Sequence, residues 1–441
     1  MHSKQEKLFR NRKFVALAIA LIITMLIDTS VVKINDLIDK FLIPLTSKLI
    51  LFSVNTALCL ILQFLILSYV SNSFRDRSIK SMNIKTFYFI SLASLAVVST
   101  LAGYLIFQIF YYGYYETWVS ISIVVTGYGM GAAMVIWLSF LFFRWYRSSH
   151  GFVILLYFLS TALISFNLIL TAAFVSVKLN DTRDQVGEYV GSSGDLSAGR
   201  HQFLNSIYRI SSFMSFFSIW LTTAILMNSY REKLSIINLI ILSIPLVYFS
   251  VTYFYQFTLG TLLTSYLEID PVTASIILGI FLALSKPIGG LMFGLAFWKT
   301  SKILGYEKNI SKSMIIAGWG IFFIFSANQA ATQIVSPYPP FGLATLTVLN
   351  LASYLMLLGI YNSAILVSAN NGLRKFIHKH ALKLLNPIGQ AELQKEIQRT
   401  VKKISDRKEI ASITSETSLE LDEVELKKYL HNVIREVKKR D

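Results

Sequence analysis

The residues best able to do chemistry in this chain are two ionisable side chains in apolar surroundings, Lys286 and Asp28. An ionisable group at mid-bilayer costs roughly 2.5–3.5 kcal/mol on insertion scales, so each must be compensated or used. Lys286 stands 14 residues from Val272 in an apolar run that continues to Trp298, and Pro287, Gly289 and Gly290 follow it. Proline removes a backbone donor and glycine loosens the chain, so this spacing predicts a helix break beside a cation. Freed backbone groups next to a charge can form a midplane carrier site, where an ammonium would favour an anionic solute. Two other readings compete. The four-carbon stem of Lys286 could snorkel to the headgroups, or the charge could belong to a structural pair. Asp28 falls in the outer part of the first apolar run beside Thr29 and Ser30, at the outer interface or facing inward. An Asp28–Lys286 pair would have to bridge about 12 Å along the membrane normal, at roughly 1.5 Å of rise per residue.

A polar stripe adds to this set. Ser326, Gln329 and Gln333 recur at i, i+3 and i+7 with Asn328 beside them. Such spacing shares a helix face. The stripe either lines a cavity or ties helices together through hydrogen bonds worth about 0.6 kcal/mol each. The expected solute-binding set is therefore Lys286, Pro287, Gly289, Gly290, Ser326, Asn328, Gln329, Gln333 and Asp28. Asn55, Gln63, Asn167, Asn350 and Asn362 occur singly in apolar runs and read as packing glue. Tyr248, Phe249, Tyr253, Phe254 and Tyr255 crowd one stretch, as an interface belt or one wall of an apolar pocket.

These residues need a membrane scaffold to position them. Of 441 residues, 54% are hydrophobic and 15% charged, and mean hydropathy is +0.56. A soluble domain averages roughly 45–50% apolar and about 25% charged. The expected fold class is all-α, a polytopic bundle of about ten transmembrane helices. Ten runs reach the ~20 residues that span a bilayer: 14–32, 49–71, 86–110, 118–143, 152–177, 210–228, 234–257, 272–298, 313–335 and 341–369. They define a basic arm (1–13), a membrane domain (14–370) and a tail (371–441). No small-x-small cleavage site follows the first run, so it reads as a retained helix rather than a signal peptide. Ten runs could also divide five plus five as inverted halves.

Lysine and arginine alternate along the connections. The arm and the even connections carry 17, from Lys4 to Lys312, and the odd connections carry seven. By the positive-inside rule both termini are cytoplasmic, in a plasma membrane. The same rule accounts for the net charge of +16 without nucleic acid. Trp145 and Tyr146 read as markers of the inner interface. Gly127 with Gly131 and Gly290 with Gly294 are GxxxG pairs, for packing within the chain or between copies. The single cysteine, Cys59, excludes an intrachain disulfide, and no Cys/His spacing suits zinc. No metal or cofactor is expected.

Two local resemblances stand on particular residues. Lys286-Pro-Ile-Gly-Gly-Leu-Met-Phe-Gly294 resembles the R-P-x-G-G-x-x-F-G of major-facilitator carriers, but the acidic and basic loop signature of that family does not follow. Asn35-Asp36-Leu-Ile-Asp39, with Asp181-Thr-Arg-Asp184 as partner, resembles the aspartate-rich motif of membrane prenyltransferases, which would imply Mg²⁺-diphosphate chemistry. That family works on the cytoplasmic side, whereas these residues fall outside. No HExxH, G-x-S-x-G, Walker A or dinucleotide fingerprint occurs.

The tail carries 27 charged residues in 71. Arg374, Lys375, Lys379 and Lys383 would meet anionic lipid headgroups. Asn386-Pro387-Ile388-Gly389 predicts a chain break. Leu393, Ile397, Val401 and Ile404 then recur at helical spacing, as do Leu426, Leu430, Val433 and Val437. Such short helices must pack on the membrane domain, on lipid, on a second copy or on a cytoplasmic partner. Three functions follow in order of expectation. The first is a carrier for a small solute between helices near Lys286, whose ammonium would favour an anion. The second is a sensor or assembly subunit whose tail docks a partner. The third is a metal-dependent membrane transferase using the outer-face aspartates.

Overall fold

The computed structural model describes residues 13–30, 44–75, 82–187, 195–228, 236–254, 258–259, 262–266, 270–304, 307–333, 339–379, 384–395, 397–398 and 401. Among the described residues every regular element is helical. The helices are α1 (Lys13–Ser30), α2 (Leu45–Arg75), α3 (Met82–Tyr112), α4 (Thr117–Ser149), α5 (Phe152–Gly187), α6 (Asp195–Asn228), α7 (Ile236–Phe254), α8 (Pro271–Ile303), α9 (Lys308–Gln333), α10 (Leu343–Ala369), α11 (Asn371–Lys379) and α12 (385–395). Nine of them contain segments long and apolar enough to cross a membrane. Such lengths suggest a multi-pass membrane protein. The seventh expected run forms the shorter α7, 19 residues with Pro245 inside.

The side chains sort as a bilayer solvent would require. Ile19, Ile23, Val54, Ile61, Phe107, Phe140 and Ile169 point outward, an apolar surface no water-soluble monomer carries. α10 is the opposite extreme, because it is buried without a break from Leu343 to Ala364. It packs against α2, α3, α4 and α9, so a helix late in the chain becomes the axis for early ones.

Small residues permit these close approaches. A methyl group at Gly359 of α10 would come 2.5 Å from the Ser313 carbonyl oxygen of α9. One at Gly294 of α8 would come 2.7 Å from the Gly318 carbonyl oxygen of α9, and Gly131 of α4 faces Leu349 of α10. Both GxxxG pairs are thus spent on packing within the chain, and the dimer reading loses its motif. The single amides join helices: Asn55 donates to the Thr24 carbonyl, Gln63 to Thr347, Asn350 to the Ser91 carbonyl and Asn362 to Ser313.

The first part of the tail folds back on the bundle. Residues 386–389, expected to break the chain, are helical in α12. Pro387 sits in the first turn, where its missing N–H is no loss. Leu384, Leu385, Ile388 and Ala391 are buried, whereas Ile397 and Val401 of the expected apolar face are exposed. Trp145, expected at the membrane interface, is instead buried and donates to Glu392 at 3.0 Å. Lys395 reaches the other oxygen of Glu392 at 2.6 Å, and Arg144 stands at 4.0 Å. Residues 402–441 lie outside the described residues. So do Lys383 and the side chain of Lys379 among the expected lipid contacts.

Candidate functional site

α8 carries the candidate cation through the bundle without interruption. It is a continuous α-helix with Pro287 inside it. The expected break at Pro287–Gly290 is absent, because the helix runs through all four residues. The turn before Pro287 is braced by side chains: Tyr248 donates to the Phe281 carbonyl at 2.6 Å, while Ser285 at 2.8 Å and Gln329 at 2.5 Å both donate to that of Leu282. In α7, Trp220 donates to the Leu242 carbonyl three residues before Pro245.

Lys286 is 1% exposed. It lies nine residues past Ile277 and 17 before Ile303 in its span, so ~14 Å and ~26 Å of helix separate it from the two ends. That depth and burial exclude the snorkelling reading. Its ammonium donates to the Tyr208 hydroxyl of α6 at 3.1 Å. It also lies 5.3 Å from the Tyr208 ring centroid and 5.7 Å from that of Tyr253 on α7. Aromatic faces attract a cation through their quadrupole. Phe174 stacks on Tyr208 at 4.8 Å, and Phe249 on Tyr253 at 4.9 Å. The aromatic stretch of α7 therefore forms a wall of this enclosure. Among the described residues no carboxylate comes within 4.0 Å of Lys286.

A line of buried hydrogen bonds reaches the same helix α6. Tyr128 of α4 donates to Asn328 of α9 at 3.2 Å, and Asn328 donates to Asn167 of α5 at 2.8 Å. Asn167 donates to Ser211 at 2.9 Å, and Ser211 closes on the Tyr208 carbonyl at 3.0 Å. Amide side chains polarise one another in such series. Asn328 is thus a junction of three helices, one residue from the Gln329 that donates to the Leu282 carbonyl of α8.

Asp28 is equally buried but elsewhere. One carboxylate oxygen accepts from the Thr345 backbone N–H and from the Thr345 hydroxyl, both at 2.8 Å. Thr345 lies in the first turn of α10. The cap residue there is Gly342, whose φ of 90° suits glycine alone and which offers no side-chain hydrogen bond. α1 therefore caps α10 with a side chain from another helix, and the carboxylate faces the positive end of the helix dipole. Asp28 faces inward two residues before its span ends at Ser30, and its partner is Thr345 rather than Lys286.

The remaining expected residues divide between two faces of α8. Pro287, Ser326 and Gln329 line a cavity of about 260 Å³ with Leu26 and Thr29 of α1 and Thr345 of α10. Lys286 does not line it. Gly289 lies tightly against Phe216 of α6, and Gly290 approaches the Phe322 carbonyl oxygen. The side chain of Gln333 lies outside the described residues, as do Asp36, Asp39 and the side chains of Asp181 and Asp184. The groups that sequence reasoning missed are Tyr208, Ser211, Tyr128 and Thr345. A sixth run begun at 210 left Tyr208 in the preceding loop, although the apolar span starts at Phe203. No family model, curated protein or solved structure matches the chain. Among the described residues the fold is all-helical and suggests a multi-pass membrane protein, with a lysine enclosed by aromatic rings.

Proposed function

We propose that this chain is a plasma-membrane carrier for a small anionic solute, with both termini in the cytoplasm and Lys286 as the charge that receives the solute. The supporting observation is the enclosure of Lys286, which holds one hydroxyl and two ring faces and no carboxylate among the described residues. An ammonium withdrawn from water needs compensation beyond a neutral hydroxyl. An anion brought to this point would supply it. The turn of α8 at Pro287, which lacks one backbone donor, is the element able to yield as the solute passes. The Ser326–Gln329 wall then belongs to the approach on the other face of α8.

The test uses full-length protein in vesicles, with swelling followed by light scattering in potassium chloride, nitrate, acetate or phosphate plus valinomycin. At least one anion should enter faster than in protein-free vesicles. Lys286→Met should slow that entry about tenfold, a loss of ~1.4 kcal/mol in the barrier, and Lys286→Arg should retain part of it. Equal entry through Lys286→Met and wild type would overturn the proposal.

One observation favours the second reading, a sensor or assembly subunit. α12 is held to the end of α4 by the hydrogen bond from Trp145 to Glu392, with Arg144 at 4.0 Å, so movement in the bundle reaches the tail. Deleting Gln390–Asp441 separates the two: anion entry survives in a carrier, while a signalling or assembly role is lost.

A further inference from the structure

A second pocket lies where three helices end together. Phe14 and Val15 begin α1, Tyr69 and Ser73 lie in the last two turns of α2, and Lys312, Ile315 and Ile316 lie in the first turns of α9; together they line a cavity of about 70 Å³. The apolar spans that include them begin at Lys13, end at Ser73 and begin at Asn309. Three span boundaries at one level mark the height of the lipid headgroups. Val15 is exposed on the outside of the bundle. Phe14 stacks on Tyr69 at 5.8 Å, which fixes the back wall. The pocket thus has an apolar floor, two hydroxyl groups and an ammonium at headgroup height, with Lys13 next along α1.

We infer that this pocket holds one anionic phospholipid, with its phosphate on Lys312 and one acyl chain against Val15, Ile315 and Ile316. The charge selects an acidic headgroup, because a basic side chain near the surface attracts anionic lipid. The hydroxyls of Tyr69 and Ser73 can donate to phosphate oxygens. The apolar wall requires a tail, so the ligand is a lipid and not free phosphate. This site is independent of Lys286. A bound lipid here would join α1 to α2 and α9 at an edge of the bundle.

Native mass spectrometry of the full chain released from detergent tests the inference. The probes are phosphatidylglycerol and phosphatidylcholine with matched acyl chains, and sn-glycerol 3-phosphate as a tail-free competitor. Wild type should retain one phosphatidylglycerol that phosphatidylcholine does not replace. Lys312→Met should lower its occupancy about fivefold, the effect of one base at the surface; Lys312→Arg should keep it, and so should Lys302→Met at an exposed lysine elsewhere. Val15→Trp fills the groove, leaves the lysine in place and should also expel the lipid. Melting temperatures of the variants identify any that fail to fold, and Val15→Trp and Lys312→Met act on different walls. Unchanged occupancy in folded Lys312→Met, equal retention of phosphatidylcholine, or displacement by sn-glycerol 3-phosphate would each overturn the inference.

Discussion

Asp28 and Lys286 are each 1% exposed, and the fold treats them in opposite ways. Asp28 is given a backbone N–H, a hydroxyl and the first turn of a helix. Those groups stabilise a carboxylate, and in return the carboxylate completes α10. Lys286 is given one tyrosine hydroxyl and the faces of two rings. Nothing in the bundle needs its charge to complete a helix. A buried charge that finishes a structure and one that only costs stability separate the scaffold from the site. The surroundings decide which is which, since the sequence context of both is equally apolar.

The sharpest way to break that contrast is to remove each charge and compare melting in the same detergent. Asp28→Ala leaves the first turn of α10 without its partner, and hydrogen bonds to a charged group are worth about 1.5–3 kcal/mol each. The expected loss is therefore about 2–3 kcal/mol, with Asp28→Asn recovering part because an amide oxygen still accepts. Lys286→Met should be neutral or stabilising, since an apolar residue in place of a buried ion often is. A large loss of stability in Lys286→Met would make the lysine scaffold after all.

Removing the one hydroxyl sharpens the contrast further. Tyr208→Phe keeps both rings and the stacking on Phe174 but leaves the ammonium without its 3.1 Å partner. The expected cost is about 1–2 kcal/mol in wild type. It should largely disappear in a Lys286→Met background, where the hydroxyl has no cation to serve. An equal cost in both backgrounds would show that Tyr208 serves α6 alone.

Much of this architecture is legible in the sequence, because hydrophobic runs of spanning length report the bilayer directly. The site is legible in kind but not in arrangement. Lys286 stands out as a charge in an apolar run, yet its partner Tyr208 does not, because tyrosine is common and its span boundary lies seven residues earlier than the run at 210 suggests. Pro287 reads as a break because proline removes a hydrogen bond. The side chains that brace the turn before it, Tyr248 and Gln329, lie 39 and 42 residues away in sequence. Spacing within one helix cannot show them. Ser326, Asn328 and Gln329 read as one stripe, but residues one apart point in different directions. Asn328 joins Tyr128 and Asn167, while Ser326 and Gln329 face the cavity beside α1. The central place of α10 is visible only in retrospect, through polar residues such as Thr345, Asn350 and Asn362 on several of its faces.

The smallest expected effect tests whether the two charges act separately. Counting rise along each helix leaves about 12 Å between them along the membrane normal. The structure resolves that strain by giving each its own partners, Thr345 for Asp28 and Tyr208 for Lys286. Sites without shared partners add to within ≈ 0.3–0.5 kcal/mol. The double variant Asp28→Ala/Lys286→Met should therefore melt where the two single changes sum, with a coupling below about 0.5 kcal/mol. A coupling of about 1 kcal/mol or more would mean that the carboxylate stabilises the ammonium through the bundle. Lys286 would then be a distant member of a structural pair, and the division between scaffold charge and working charge would fail.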